Sequence, residues 1–512
     1  MDIILFHPAP RSGWDAYHRC VVPLSLLYPA TPLDRDGYRV TIVDQFADPS
    51  WKKKLLVALA KKPVCFGVTS MTGPQILQAL CVCKFVKDRY PDVPIVWGGI
   101  HASLLPEQTL GNPYVDIVVV GEGEAALLEL VKALENGTPL DQVAGIAYRQ
   151  NGQYRFTGSR PFVNLDEQPS LAYHLIDINR YRERLLGIDH IHLLFSRGCT
   201  FDCAFCWDPV MHMRRHRAMQ PERVLGNMQR VIQDFGIRGF IFSDDNFFVD
   251  RRWAYNVLEG VVRADLDICI GKLFIRPDTL CKLNGDFLEI MVRAGVKRLV
   301  MGAESGSERI QHLIKKRIMP EQILEANRML IPYPIKPAYL FMMGLPTETP
   351  DEFAQSIRLA AQLIDENPKA TRAFNVYTPF PGTELFNLAV QYGLRPPERL
   401  EDWAQFSYRN THSDSPWILP ETKKFISVLD FALMCSSHDN SLGSLRKADP
   451  IAVWLARAYS PLARYRVKHL DTRFPLETKL IKGLRFLMGR DPSRIHGLGR
   501  QRISGSREAV LH

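Results

Sequence analysis

The chain is 512 residues long, 46% hydrophobic and 23% charged, with 64 Lys+Arg against 55 Asp+Glu for a net charge of +9. At about 150 residues per domain the length suggests roughly three domains, and the apolar fraction excludes wholesale disorder. No apolar run reaches the ~18 residues that would suggest a membrane span, and MDIILFHPAP is broken by Pro8 and Pro10 too early for a signal peptide.

The opening segment reads instead as a first β-strand, and a cytoplasmic protein is expected. After DIILFHP, further strand-like runs are YRVTIVD (38–44), VCFGVTS (64–70), PIVWGGIHA (94–102) and DIVVVGEGE (116–124), separated by helical patterns. Five strands with four crossovers predict a doubly wound, Rossmann-like open sheet over residues 1–144. Such sheets bind ligands at the C-terminal ends of their strands. That edge carries Ser70-Met71-Thr72-Gly73, Gly98-Gly99-Ile100-His101 and Gly121-Glu122-Gly123-Glu124. No G-x-G-x-x-G follows the first strand, which disfavours a dinucleotide site. Residues 145–189 read as a linker packing across two units.

The chain has ten cysteines. Seven are scattered and read as small buried apolar residues, and a disulfide framework does not suit a large chain without an export signal. Cys199, Cys203 and Cys206 differ. They sit in SRGCTFDCAFCWDP, a C-x3-C-x2-C spacing on a loop. Three thiolates so close repel one another unless a cation neutralises them, and soft thiolates select iron–sulfur clusters, zinc or copper. Structural zinc wants four closed ligands; no fourth cysteine is near, and His192 is the nearest histidine before the motif. Three cysteines on a four-iron cluster leave one iron open for a substrate.

Residues 190–410 alternate strands with helices. IHLLF (191–195), GFIFSD (239–244), KRLVMGAE (297–304), AYLFMMG (338–344) and AFNVYTP (373–379) are strand-like. PERVLGNMQRVIQDFG (221–236) and PDEFAQSIRLAAQLIDEN (350–367) are helical, the latter with Asp351 as the expected N-cap. Parallel βαβ units follow, with polar motifs at the strand ends: Ser243-Asp244-Asp245-Asn246, Glu304-Ser305-Gly306-Ser307 and Gly344-Leu345-Pro346-Thr347-Glu348.

With the cysteine loop and Phe205 before its last cysteine, this segment resembles the radical SAM superfamily. The resemblance implies a partial (β/α)6 TIM-like barrel. In it, Cys199, Cys203 and Cys206 hold a [4Fe-4S] cluster whose open iron chelates S-adenosylmethionine, reductively cleaved to a 5′-deoxyadenosyl radical. It also implies a one-electron donor such as flavodoxin or ferredoxin. Asp244 and Asp245 lie where the methionine amino group is contacted, and Arg276, Glu304 and Ser305 where ribose and carboxylate contacts come from. Gly344 begins the turn on the adenine side.

The first 144 residues then resemble the cobalamin-binding domain fused ahead of many such enzymes. By that resemblance Ser70 and Thr72 approach the lower-ligand nucleotide, and Gly98 and Gly99 let the backbone pass close to its tail. The cobalt-ligating Asp-x-His-x-x-Gly is absent, since Asp15-Ala-Tyr-His18 has the wrong spacing. Cobalamin is therefore expected base-off, without a histidine ligand. The combination resembles the anaerobic magnesium-protoporphyrin ester cyclases and the cobalamin-dependent methyltransferases, including those acting on hopanoid lipids. It implies C-methylation of an unactivated carbon on a small, lipid-like or hydrophobic substrate. An oxidative cyclase and a non-catalytic cluster and cobalamin sensor are the alternatives. Trp207, Asp208 and Tyr377 are candidates to face the substrate.

Residues 411–512 read as a mostly helical region. KKFISVLDFALMCSS (423–437) is a helix, and IAVWLARAYSPLARYRVKHL and LETKLIKGLRFLMGR are basic amphipathic helices interrupted by Pro461 and Pro475. Residues 441–512 hold 15 Lys+Arg and 5 Asp+Glu, a net of +10, so the other 440 residues carry −1. The surplus belongs to the tail. Residues 441–512 read either as a helical cap with a solvated basic face or as a peripheral contact with an anionic inner-membrane surface, and nucleic acid is not expected.

Overall fold

The computed structural model describes residues 1–9, 20–406, 415–423, 425, 426, 429, 432 and 450–471. The Asp15–His18 stretch, most of the helix expected at 423–437 and the tail beyond Asp471 lie outside these residues.

The five expected strands are β1 (Asp2–His7), β2 (Arg39–Asp44), β3 (Phe66–Thr69), β4 (Ile95–Gly98) and β5 (Ile117–Val119). They pair in parallel in the order β2-β1-β3-β4-β5. Every residue of β3 and β5 is buried, the mark of strands covered by helices on both faces. The strand order reverses between β1 and β3, which places the ligand crevice outside their C-terminal ends.

Residues 145–189 are more than a linker. Strands β6 (Ile146–Gln150) and β7 (Gln153–Phe156) extend the first sheet as an antiparallel hairpin. Its turn is Asn151-Gly152, with φ of 53° and 78°, the Asn-Gly signal that left-handed hairpin turns favour. Strand β8 (Glu183–Leu185) already belongs to the second sheet.

The second sheet continues with β9 (Ile188–Leu193). A short ribbon of β10 (Ser196–Arg197) and β11 (Arg217–Ala218) flanks the cysteine loop. Next come β12 (Gly239–Phe242), β13 (Cys269–Ile275), β14 (Arg298–Glu304), β15 (Lys336–Met343) and β16 (Thr371–Val376). From β9 to β16 the six main strands are parallel and curl into a half-barrel. The helices Pro221–Phe235, Arg251–Arg263, Gly285–Arg293, Pro320–Met329 and Pro350–Glu366 make the crossovers.

Strand β13 escapes the sequence reading because Gly271 and Lys272 break its apolar run. The glycine has a packing reason. A Cβ on Gly271 would lie 2.8 Å from the His190 ring, and one on Gly239 would lie 2.7 Å from it. The buried imidazole of β9 thus fills the space that two neighbouring strands leave open.

Two helix expectations are corrected. The cap of Pro350–Glu366 is Thr349, not Asp351: the Glu352 backbone N–H donates to Thr349 Oγ1 at 3.3 Å, and Glu352 Oε2 accepts from the Thr349 backbone N–H at 3.0 Å. This is a capping box, with Asp351 in the first turn. The helix Pro450–His469 runs through Pro461 without interruption. Ala463 and Val467 on it are buried, so part of its apolar face is spent on packing. Among the described residues no helix is long and apolar enough to cross a membrane.

Candidate functional site where the two sheets meet

The cysteine loop leaves the ribbon through Gly198, at φ +83°, where a Cβ would collide with the Arg215 carbonyl. Its backbone is then pinned. Cys199 N donates to Asp208 Oδ1 at 2.9 Å and Ala204 N donates to the Ile314 carbonyl at 2.9 Å. All three cysteines are half-buried. Burial pushes the Cys199 and Cys206 thiols up, and Asp208 and Cys203 push both further. Thiolates there need a cation, which is the chemistry a metal cluster supplies.

Two donors face the sulfurs. Arg276 Nη1 lies 3.6 Å from Cys203 Sγ and Asn246 Nδ2 lies 4.0 Å from Cys199 Sγ. Arg276 is itself held by Asp278 at 2.9 Å and the Lys316 carbonyl at 2.7 Å, with its guanidinium 3.8 Å from the Phe201 ring centroid. Sequence reasoning assigns Arg276 to ribose or carboxylate; the structure sets its Nη1 beside the Cys203 sulfur. Such outer contacts orient ligands and tune the metal.

The two adjacent acids at the end of β12 divide their work. Asp244 is buried, its Oδ1 accepting from Ser196 N and Oγ at 2.6 Å each and from Phe195 N at 3.2 Å. Burial pushes its carboxyl up to about 7. It braces the start of the cysteine loop. Asp245 is exposed and accepts from Gly198 N at 3.2 Å. Ligand atoms of Asp208, His212 and Asp245 lie within 4.8 Å of one another, a set suited to a cation. Burial, then the neighbouring Asp245 carboxylate, pushes Asp208 up to about 8. His212 is missed by sequence reasoning; its i+4 spacing from Asp208 across a short helix was the available signal.

The remaining expected contacts scatter. Glu304, at φ +60°, pairs with Lys316 Nζ at 2.6 Å, and that ammonium lies 5.9 Å from the Phe205 ring. Ser305 is wholly buried, its hydroxyl shared between Ser356 Oγ and Ser307 N at 3.1 Å each. Gly344 N donates to Glu348 Oε2 at 2.7 Å, and its carbonyl accepts from Trp417 Nε1 at 3.0 Å. A Cβ there would lie 2.6 Å from Ile418 Cδ1, so the segment after residue 415 covers this turn. Tyr377 is buried, with its ring 6.2 Å from that of Trp417.

On the first sheet, β3 and β4 end side by side. Gly99 has φ +90°, and a Cβ would lie 2.7 Å from the Ser70 carbonyl and 2.8 Å from Thr69 Oγ1. Gly98 is open: its nearest atom would be the Val119 carbonyl at 3.9 Å. Gly99→Ala is expected to cost roughly 1–3 kcal/mol of stability, read as a lowered thermal midpoint, whereas Gly98→Ala leaves that midpoint unchanged. Thr72 Oγ1 lies 2.9 Å from His101 Nδ1, and His101 is wholly buried. Burial depresses this imidazole to about 4, so it is neutral. Ser70 Oγ and His101 Nε2 are buried without a protein partner. Orphaned polar atoms beside an open glycine edge fit a bound polar nucleotide tail.

The third glycine motif of that edge is spent on the neighbouring unit. Glu122 Oε1 accepts from Arg197 Nη1 at 3.0 Å and from Arg217 Nη2 at 2.8 Å, and Glu124 Oε1 accepts from Arg197 Nη2 at 2.6 Å. Tyr28 places its ring 4.5 Å from the Arg197 guanidinium and donates to the Leu194 carbonyl at 2.8 Å. This clamp ties the first sheet to the ribbon beside Cys199.

Residues 193–360 match the Radical SAM superfamily and residues 15–131 match the B12 binding domain. An uncharacterized methyltransferase of Pyrococcus horikoshii is 30% identical over 375 residues, covering 73% of this chain and 79% of that one. The anaerobic magnesium-protoporphyrin IX monomethyl ester cyclase of Cereibacter sphaeroides is 26% identical over 413 residues, covering 80% and 66%. Among solved structures, the cobalamin-dependent S-adenosylmethionine radical enzyme OxsB, with aqua-cobalamin and S-adenosylmethionine bound, superposes with a TM-score of 0.70. It is 17% identical, covering 97% of this chain and 74% of that one, a likeness of fold.

Proposed function

Because the chain belongs to the radical SAM superfamily, among its cobalamin-dependent methyltransferases, we propose that the region where the two sheets meet gathers three cofactors around one substrate. Cys199, Cys203 and Cys206 hold a [4Fe-4S] cluster, with Arg276 and Asn246 donating to its sulfurs. Asp245, with Asp208 and His212 behind it, receives the ammonium of S-adenosylmethionine, while Glu304 and the Gly344 turn border the rest of that ligand. Ser70, Thr72, Gly98 and Gly99 line the cobalamin tail, held base-off without a histidine ligand. Asp244 and Ser305 act from within, as braces. The domains are 1–144 for cobalamin, 145–189 as the joint, 190–410 for the cluster and 411–512 as a helical cover, with the hairpin to Phe156 functionally part of the first.

When bound, these groups supply a carbon-centred radical and a methyl group to a substrate carbon that has no lone pair. The chain's own residues position: the loop presents the cysteines, the Arg197 clamp sets the spacing between sheets, and the buried Trp403, 5.5 Å from His101, helps exclude water. The observation that carries the reading is the clamp of Arg197 between Glu122 and Glu124. It joins the residues leading into the cysteine loop to the segment after β5, which ends on the same sheet edge as Gly98 and Gly99.

The test is product mass with methyl-labelled S-adenosylmethionine: the substrate gains one labelled methyl in place of a hydrogen. The likeness to the ester cyclase favours a second reading, oxidative ring formation, which loses hydrogens and takes no label. The sensor alternative falls away, since the family is one of enzymes. The electron donor is an acidic carrier such as flavodoxin or ferredoxin, in a cytoplasmic setting.

A further inference from the structure

The reduced cluster must receive its electron through the protein surface, and one face of the cysteine loop is built for contact. The loop tip between the first two cysteines, Thr200-Phe201-Asp202, reaches that face, and Thr200 is exposed. Arg214 Nε donates to the Thr200 carbonyl at 3.3 Å. Arg317 makes a bidentate pair with Asp202 at 3.0 Å for each bond, and its side chain is still 56% exposed. Both arginines thus stand at the same tip, Arg214 on Thr200 and Arg317 on Asp202. Arg215 is exposed beside them, and Lys315 adds a further cation, paired with Glu384 at 2.7 Å.

Two features set this patch apart. The sequence from Pro209 to His216 carries two arginines, both exposed, and no acid, in a body whose net charge without the tail is −1. Met213, 61% exposed, directly precedes Arg214 and Arg215 in the chain. Apolar residues within a charged rim are the composition of a protein-docking surface. The segment is also fixed in place: Met213 and Arg214 turn through successive left-handed conformations at φ 50° and 57°, and residues 212 and 215 press on Gly198 at the root of the loop.

We propose that Arg214, Arg215 and Arg317, with the exposed Met213 beside them, form the docking surface for an acidic one-electron carrier protein. The proposal rests on the cluster reading above and deepens it by placing the donor. One electron leaves the reduced flavin of the carrier and enters the cluster; no bond forms between the proteins. Electron transfer slows steeply with distance, and the exposed tip of the cysteine loop carries Arg214 and Arg215 in excess of its Arg317–Asp202 and Lys315–Glu384 pairs. Charge complementarity at such a rim mainly sets encounter rate and salt dependence.

The test uses the full chain, with and without reconstituted cluster, and oxidised flavodoxin as the probe. Wild type is expected to bind it with an affinity that falls as salt rises. Arg214→Glu combined with Arg317→Glu is expected to weaken binding by about tenfold or more and to flatten the salt dependence. Arg215→Glu, at an exposed position, is a milder second variant and shifts affinity in the same direction. Dithionite, which needs no docking, should drive S-adenosylmethionine cleavage by Arg215→Glu as fast as by wild type. Unchanged flavodoxin affinity in both variants overturns the proposal, as does a dithionite-driven rate that falls in step with the flavodoxin-driven one. Wild-type protein that takes up no iron would instead overturn the cluster reading, and the binding comparison on cluster-free protein would still decide the surface.

Discussion

Cys203→Ala is expected to abolish cluster retention and 5′-deoxyadenosine formation while leaving the chain folded. Cys203 is half-buried on a loop whose backbone is held by its neighbours, through Ala204 N to the Ile314 carbonyl at 2.9 Å and Leu385 N to the Ala204 carbonyl at 2.8 Å. Its side chain is therefore not what shapes the loop. In the proposed cluster it is one of three ligands, and losing one would leave a second iron without protein support. The removal also strips Arg276 Nη1 of its 3.6 Å sulfur acceptor. Arg276→Gln, which keeps all three thiols, should lower iron affinity only about ten- to a hundredfold. Iron and sulfide content after anaerobic reconstitution, with S-adenosylmethionine cleavage measured alongside, checks both. Cys81→Ala on the exposed face of the Gln75–Arg89 helix serves as control and should change neither. A Cys203→Ala protein that binds iron like wild type would remove the assignment.

Arg197→Met is expected to cause the largest loss of stability of any single substitution at the junction. Arg197, Glu122 and Glu124 are all largely buried, with side-chain exposures of 11%, 10% and 4%. Taking such charges out of water is costly, and the pairing offsets it. Removing only the arginine leaves Glu124 with a buried, uncompensated carboxylate and Glu122 with Arg217 alone. Breaking a buried pair in this way costs roughly 3–5 kcal/mol, a drop of about 10 °C in thermal midpoint for units of this size. Methionine keeps the volume and the packing on Tyr28, so the loss reads charge rather than a cavity. Adding Glu124→Gln to Arg197→Met should recover part of it, because the stranded charge is gone. If the single variant melts with wild type, the clamp contributes nothing to stability.

The cysteine spacing was legible because its meaning is local. Three thiols within eight residues can do little else than share a cation, and that holds in any fold. The strands at Asp2–His7 and Phe66–Thr69 were legible for a similar reason, since strands buried on both faces read as unbroken apolar runs. Strand β13 was not, because Gly271 answers to His190 on a strand some eighty residues away. The hairpin at Asn151-Gly152 was written in the chain and passed over within a polar stretch.

The adjacent acids show where the boundary lies. The pair Asp244-Asp245 announced itself as functional from sequence, yet the two residues are indistinguishable there. Only the tertiary structure turned Asp244 inward onto Ser196 and left Asp245 facing out, beside Asp208 and His212. Ser305 looked like a ligand contact and proved to be interior. Arg276 looked like a ribose contact and came to rest on a cysteine sulfur. Glu122 and Glu124 looked like a ligand edge and became half of a clamp. By itself the sequence determined the class of fold and the cofactor chemistry, because strand periodicity and thiol spacing act over a few residues. Which oxygen is solvent-facing, which cation meets which sulfur and how the two sheets are joined depend on groups far apart in the chain, and only packing brings those together.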